Sequence, residues 1–97
     1  MTRVNLVVEL QVKPGEADRF AAMFRREFVS RSRTEQGCLF YDLWVDPQQP
    51  ARMVIVESWA SRADLDRHLA QAWFSQWAPR MEEAQETPLV VRTFTDA

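Results

Sequence analysis

Residues 38–60 read CLFYDLWVDPQQPARMVIVESWA, and this stretch decides the fold. Its two ends, 38–46 and 52–60, are rich in aromatic and β-branched residues, which is typical of β-strands. The short segment between them contains Pro47 and Pro50, which mark a turn. Two such runs separated by a short turn predict an antiparallel β-hairpin.

A strand and a helix are predicted on the N-terminal side of this hairpin. Residues 4–12 alternate between apolar and mostly polar side chains, which is the period of a strand, and Pro14 and Gly15 mark the turn that follows. From Glu16 the apolar residues take the spacing of a helix, which should end before Gly37. The apolar face of this helix consists of Ala17, Phe20, Ala21, Phe24 and Phe28.

A second helical region and a last strand are predicted on the C-terminal side. Ser61 and Asp64 have the spacing of a capping box, with Asp in place of the usual Glu. Pro79 interrupts the helical pattern, so we expect a kink or two short helices there, and Pro88 opens a strand over 89–95. The helical pattern rests on an inward stripe of Leu65, His68, Leu69 and Ala72, continued by Phe74, Trp77 and Met81.

The predicted order of elements is therefore β-α-β-β-α-β. This order is typical of the α+β class with a ferredoxin-like fold, in which a four-stranded antiparallel sheet carries two helices on one face. A chain of 97 residues is too short for two independent cores, so we expect a single domain over residues 1–97.

The composition excludes several classes of protein. Twelve basic and 14 acidic residues give a net charge of −2, so no strong positive field indicates nucleic-acid binding. A single cysteine, Cys38, excludes an internal disulfide and a cysteine-built metal cluster. No apolar run approaches the ~18 residues of a membrane span, and the N-terminus lacks signal-peptide organisation. We therefore expect a cytoplasmic protein without membrane contact.

Apolar side chains occupy both faces of the predicted sheet, although two helices can cover only one face. In the second strand, Phe40 and Trp44 lie on the face opposite Leu39, Tyr41, Leu43 and Val45. A second sheet can cover the remaining face, so we expect a homodimer whose sheets pack face to face. The alternative is an exposed apolar patch, which monomers rarely carry beyond roughly a few hundred Å².

Four segments of the chain carry a resemblance to a known family. They are residues 13–15 (KPG), residues 35–41 (EQGCLFY), residues 56–61 (VESWAS) with Leu65 and His68 after them, and Phe74. Together they resemble the antibiotic biosynthesis monooxygenase family of small dimeric α+β-barrel proteins. The resemblance covers residues 4–96.

This resemblance implies a fold, a cavity and a range of reactions. The implied fold is the ferredoxin-like unit, paired through its sheet into a dimeric α+β barrel, with an apolar cavity between sheet and helices. Some members oxidise quinols or anthrone-like polyketides with O₂ and need no metal or flavin. We therefore expect a cofactor-independent monooxygenase that acts on a small quinol-like or polyphenolic compound, without a metal site.

Two residues are the expected catalytic groups. His68 is the only histidine and lies on the inward helical stripe, where its imidazole could take a phenolic proton as a general base. Trp59 faces the same side of the sheet as Glu57 and could stack on a planar substrate. Each also has a purely structural interpretation, His68 as a packed histidine and Trp59 as a core residue.

Four further residues are expected to bind the substrate, namely Tyr41, Glu57, Phe74 and Trp77. Tyr41 could donate a hydrogen bond in the cavity, while Phe74 and Trp77 could form its helical wall, and core packing is the alternative for all three. A buried Glu57 needs a partner, which His68 or Arg92 could supply as a structural ion pair. Glu35 falls among charged residues that include a run of arginines and is interpreted as part of a solvated helix face.

Two other functions stay open. The first is isomerisation or cleavage of a small phosphorylated ketone, with Arg52, Arg80 and Arg92 as candidates for the anion site. Dispersal of these arginines over the outer surface would argue against that reaction. The second is a non-enzymatic, dimeric ligand-binding module.

The sequence also departs from the better understood branches of the family. Ile55 stands where some polyketide-oxidising members have an Asn, and Leu65 stands near the position of a Tyr. Val8 and the pair Trp77 and Ala78 occupy the positions of the Asn and His of the haem-degrading branch. Haem degradation is therefore disfavoured, and His68 would have to replace the proton relay of the oxygenases.

Overall fold

A computed structural model describes residues 2–97 of the chain, and Met1 lies outside the described part. Four strands form one antiparallel sheet in the order β2-β3-β1-β4. This topology confirms the predicted α+β, ferredoxin-like fold. The strands are β1 (Val4–Gln11), β2 (Cys38–Val45), β3 (Arg52–Trp59) and β4 (Val90–Thr95).

The first helical region is continuous but changes its winding. Helix α1 (Ala17–Phe24) passes into a π-helical segment (Arg25–Val29) and then into the short α2 (Ser30–Ser32). The wider π-turn allows the neighbouring residues Phe28 and Val29 both to be buried against the sheet. Phe24 stacks on Phe28 with ring centroids 4.6 Å apart, which extends the core along this helix.

The second helical region consists of α3 (Arg62–Leu69) and α4 (Ala72–Glu83). Ser61 caps α3 as predicted, because its side chain accepts a hydrogen bond from the Asp64 N–H. The break between the helices lies before Ala72, whereas Pro79 stands inside an unbroken α4. The region thus consists of two helices, one of the predicted outcomes, but the chain leaves the helical conformation at residue 71 and not at Pro79.

Two residues of the predicted inward stripe, Leu69 and Ala72, lie outside the core. Leu69 is exposed because it ends α3, just where the chain turns away from the sheet towards α4. His68 and Leu65 on the same helix are buried as predicted. The inward face of α3 is therefore narrower than its sequence pattern indicates.

A β-bulge at the start of β2 also changes the predicted faces. The register passes from Cys38 opposite Trp59 to Phe40 opposite Ser58, which leaves Leu39 as the extra residue. Cys38 therefore takes the inner-face position predicted for Leu39, and Leu39 is exposed. The inner-face prediction holds for Tyr41, which is buried against the helices.

The two faces of the sheet differ in their cover. The inner face packs on the helices, and its strand residues are almost entirely buried along β1 and β3. The outer face has no helix over it, and three of its aromatic side chains, Phe40, Trp44 and Phe94, are exposed. Among residues 2–97, no helix combines the length and the apolar character that crossing a bilayer requires.

Candidate functional site

His68 lies at the centre of a buried cluster between α3 and the sheet. Its side chain is 1% exposed, and its Nδ1 lies 2.7 Å from Oε1 of Glu35. Its Nε2 is buried and has no hydrogen-bond partner among the described residues. Burial lowers the pKa of His68, and the bond with Glu35 acts in the opposite direction. Most buried polar atoms have a hydrogen-bond partner, so this nitrogen makes His68 the leading candidate for a group that acts on a ligand.

Aromatic rings surround this imidazole on several sides. The nearest is Trp59, whose ring centroid lies 4.6 Å from that of His68. The rings of Phe74, Tyr41 and Trp73 follow at 5.0, 5.5 and 5.8 Å. The structure thus brings together four of the six predicted site residues, namely His68, Trp59, Tyr41 and Phe74.

Glu35 is a candidate site residue that the sequence analysis missed. It lies in the turn before β2, and its carboxylate accepts a second hydrogen bond from the indole N–H of Trp73, 2.9 Å from Oε2. The side chain is only 12% exposed, so the interpretation of Glu35 as part of a solvated helix face was wrong. Glu35 lies in the turn in which Gly37 takes a positive φ of 82°, and its carboxylate points inwards to His68 and Trp73.

A second carboxyl group, that of Glu57, lies in the same region. It lies on the inner face of β3 as predicted, and its Oε1 accepts a hydrogen bond from the Trp59 indole N–H at 3.0 Å. Burial raises the pKa of Glu57 to about 7, although the bond from Trp59 acts against that rise. Neither expected ion-pair partner binds it, because His68 pairs with Glu35 and Arg92 pairs with Glu9 on the outer face.

Tyr41 lies across the strand pair from Glu57 and completes the wall of the cluster. Its ring packs edge-on against Trp59, with centroids 6.4 Å apart. Burial raises the pKa of the Tyr41 phenol well above its usual value, and the nearby Glu57 raises it further. Tyr41 therefore stays a neutral phenol, which can donate a hydrogen bond.

Trp77 does not contribute to the cluster around His68 in the way predicted. Its ring carries the guanidinium of Arg80, 4.6 Å from the ring centroid, and it packs at the edge of the core. Trp73, one helical turn earlier in α4, contacts His68 instead. The difference follows from the position of the helix break, because α4 starts at Ala72 and presents its first turn to the cluster.

The cluster is closed in this structure. Trp59, Tyr41 and His68 are all buried, so side chains fill the space in which an open apolar cavity was expected. Trp73 and Phe74 are only half-buried and form the side nearest to solvent, on the first turn of α4. The first turn of α4 is therefore the candidate entrance for a ligand.

The chain has clear relatives. The sequence model of the family described as antibiotic biosynthesis monooxygenase matches residues 3–80. YcnE of Bacillus subtilis, whose name proposes a monooxygenase, is 31% identical over 93% of this chain and 95% of its own length. The chain is also 26% identical over 85 residues to protein sll1783 of Synechocystis, and the match covers 88% of this chain but only 57% of that longer relative.

Solved structures agree with this assignment. A crystal structure described as an antibiotic biosynthesis monooxygenase superposes with a TM-score of 0.86 at 32% identity, over 97% of both chains. The family model covers most of the chain, and the identity to YcnE extends over nearly its whole length. The chain belongs to the antibiotic biosynthesis monooxygenase family.

Proposed function

We propose that this protein is a cofactor-independent monooxygenase that oxidises a small quinol-like or polyphenolic compound with O₂. Family membership and the names of its relatives support a monooxygenase in general. The observation that carries the more specific proposal is Nε2 of His68, which is buried, unpartnered and surrounded by aromatic rings. A base in an apolar, aromatic surrounding is suited to a flat, acidic, electron-rich substrate.

The proposed reaction starts with a proton transfer to His68. Nε2 takes the acidic proton of the substrate, and the resulting anion passes one electron to O₂ to give a substrate radical and superoxide. These two combine into a C–O bond, and the imidazolium returns its proton to the terminal oxygen of the peroxide. Loss of water then breaks the O–O and C–H bonds and leaves a carbonyl. For a phenolic substrate, the O–H group and the ring C–H that O₂ attacks thus become two C=O groups of a quinone, O₂ is consumed with release of one H₂O, and His68 returns to its starting form.

The surrounding residues have complementary roles in this proposal. Trp59 and Tyr41 orient the substrate ring, the first by stacking and the second through its phenolic O–H. Phe74, on the first turn of α4, encloses the ring and keeps water away from the radical pair. Glu57 holds the Trp59 indole through the 3.0 Å hydrogen bond.

The three arginines named for the phosphorylated-ketone alternative do not form one anion site in residues 2–97. Arg52 pairs with Asp46, Arg80 lies over Trp77, and Arg92 pairs with Glu9. These three arginines are exposed and dispersed over the surface, away from His68. This distribution disfavours isomerisation or cleavage of a phosphorylated compound.

We also propose that two copies of the chain pair through the outer face of the sheet. Phe40, Trp44 and Phe94 are exposed on this face, which the helices leave uncovered. Its charged groups are balanced within each chain, because Arg92 pairs with Glu9 and Asp42 with Arg33. Two identical faces therefore meet without net repulsion, which favours a second copy as the occupant.

Oxygen consumption tests the proposed reaction. An oxygen electrode would measure O₂ consumption by the protein in the presence of anthrones, naphthohydroquinones and catechols. We expect uptake above autoxidation for at least one class, a loss on the order of 100-fold in His68→Ala, and a smaller loss in Trp59→Phe. Glu82→Gln, at an exposed position of α4, is the matched control and should keep the full rate.

Two results would contradict the proposal. One is an absence of protein-dependent uptake across all three substrate classes. The other is an unchanged rate in His68→Ala, which would show that His68 is not the base. If the panel instead binds to the protein without reacting, the non-enzymatic ligand-binding alternative is favoured.

A further inference from the structure

We infer that Glu35 is a positioning residue that holds the imidazole of His68 in the Nδ1–H tautomer, so that the lone pair of Nε2 faces the aromatic cluster. The inference rests on the proposed function for its catalytic consequence, but the tautomer itself can be measured without any substrate. Three observations carry it: the two hydrogen bonds of Glu35, the rigid turn that holds Glu35, and the unpartnered Nε2.

The two hydrogen bonds of Glu35 fix the direction of the bond to His68. The indole N–H of Trp73 is a donor only, so Oε2 of Glu35 accepts at 2.9 Å. Oε1 of the same carboxylate lies 2.7 Å from Nδ1 of His68. Because a glutamate carboxylate accepts and does not donate, Nδ1 carries the proton. Nε2 then has a free lone pair, and it has no other partner.

The backbone around Glu35 leaves its carboxylate little freedom. The Glu35 N–H donates to the Ser32 carbonyl at 3.0 Å, and the Glu35 carbonyl accepts from the Cys38 N–H at 3.2 Å. The Gly37 carbonyl in turn accepts from the Ala60 N–H at 2.8 Å, which ties the turn to the end of β3. His68 lies on α3, whereas the carboxylate that binds it lies on this turn. The imidazole is therefore held by an element other than its own helix.

The same carboxylate serves the imidazole in both of its charge states. In the neutral state it selects the tautomer whose Nε2 can accept a proton. After Nε2 has taken that proton, the imidazolium lies beside the carboxylate at hydrogen-bond distance, which compensates the burial of the new charge. Glu35 does not touch the reacting atoms in this scheme and acts only through His68.

The bond from Trp73 connects this arrangement to the side through which a ligand enters. Trp73 lies on the first turn of α4, and its indole N–H donates to Glu35. Because Glu35 also binds His68 on α3, one carboxylate connects α3 and α4. The two bonds use different oxygens of Glu35, so loss of the Trp73 bond would still leave an acceptor for Nδ1 of His68.

The experiment exploits the single histidine of the chain. Protein labelled with ¹⁵N-histidine gives one imidazole spectrum, in which long-range N–H correlations distinguish the Nδ1–H from the Nε2–H tautomer without assignment. We expect wild type and the control Glu82→Gln to show Nδ1–H only at pH 8. Glu35→Gln, whose amide offers one acceptor oxygen to two donors, should show a mixture of tautomers and a kcat lower by roughly 10-fold or more, with little change in KM.

A second variant separates the role of Glu35 from packing. Trp73→Phe removes the indole N–H but keeps the carboxylate, so we expect it to retain the Nδ1–H tautomer. An Nε2–H tautomer in wild type overturns the inference, even if Glu35→Gln does not fold. An unchanged tautomer in a folded Glu35→Gln protein overturns it as well. If the tautomer is as expected but no substrate consumes O₂, the proposed reaction fails and the assignment of Glu35 to His68 stands.

Discussion

Burial and the Glu35 carboxylate shift the pKa of His68 in opposite directions. Burial disfavours the charged form and lowers the pKa, while Glu35 favours the charged form. Because burial is the larger effect, His68 is neutral at neutral pH, which is the form that a general base requires. The carboxylate then limits the loss of basicity, so the imidazole can still take a proton from an acidic phenol.

Glu57 makes the stability of the fold depend on pH. Its pKa is about 7 in the folded chain and 4.5 without burial, so between these values the folded state binds more protons than the unfolded state. The free energy of unfolding therefore falls as pH rises through this window, by up to about 3 kcal/mol. Glu57→Gln keeps an acceptor for the Trp59 indole but has no charge to bury. We expect the variant to match wild type at pH 4.5 and to exceed its stability at pH 8.

Urea unfolding of both proteins at pH 4.5, 6 and 8 and at one protein concentration measures this difference. All other carboxyl groups are common to the two proteins, so the difference isolates Glu57. Glu82→Gln is the control, since its exposed side chain should give no pH-dependent change. A stability difference between Glu57→Gln and wild type that is constant from pH 4.5 to 8 would refute the prediction.

The sequence allowed part of the site to be predicted at this scale. His68, Trp59, Tyr41 and Phe74 could be placed in one cluster because each falls on the inner side of its own element. Glu35 could not, since it lies in a turn, 33 positions before His68, and its neighbours in sequence are polar and exposed. The Glu35 side chain points inwards from the turn at Gly37. The helical pattern of the residues before this turn does not predict that orientation.

At the scale of elements, the junction between the first helical region and β2 depends on one glycine. Gly37 has φ of 82° and Gly15 has φ of 78°, so alanine is strained at both by about 1–2 kcal/mol. A Cβ at Gly37 would also lie 2.6 Å from Cβ of Asp64, whereas nothing lies within 4 Å at Gly15. Asp64 is held by Ser61 and Arg67 at the start of α3 and cannot move without cost.

We therefore expect Gly37→Ala to destabilise the fold more than Gly15→Ala, by an additional ~1–3 kcal/mol. Midpoints of urea unfolding for the two variants measure this directly, and Gly15→Ala serves as the control for the backbone term alone. Equal midpoints would mean that the contact between this turn and α3 is loose. In that case the turn could not hold Glu35 rigidly either.

The strands and their order follow from sequence because alternation and turn residues are local signals. The irregularities of the helices and strands are harder to predict from sequence, because packing between elements determines where they occur. The π-helical segment (Arg25–Val29) keeps Phe28 inside, as an ordinary helix also would, so the period does not distinguish the two. The bulge at Leu39 and the break before α4 occur at residues with no turn propensity, whereas Pro79, which has it, stays helical.

The largest remaining question for the whole molecule is what covers the outer face of the sheet. Cross-strand neighbours on this face form three rows, of which two end in exposed aromatic residues. One row runs from Trp44 through Val54 and Glu9 to Val90, and another from Phe40 through Ser58 and Asn5 to Phe94. Each copy of the chain thus offers apolar side chains at both edges of the sheet, with Val54, Val56 and Val7 between them, which suits a two-fold interface.

We expect the protein to be a dimer at micromolar concentration and Trp44→Arg to dissociate it. In a two-fold interface each substitution occurs twice, so a loss of about 2 kcal/mol per site raises the Kd by roughly 1,000-fold. Leu69→Arg is the matched control, because Leu69 is an exposed apolar residue on the helical side of the chain. Light scattering after gel filtration gives the mass, and circular dichroism verifies that both variants fold.

A dimer that Trp44→Arg dissociates and Leu69→Arg leaves intact assigns the interface to the outer face. A monomeric wild type, or a dimer that survives Trp44→Arg, would instead leave these aromatic side chains in water, and the pairing would be wrong. The result also bears on the site, since His68 and the outer face lie on opposite sides of one sheet. Because no residue of the cluster around His68 comes from the outer face, we expect the monomeric variant to retain the tautomer of His68.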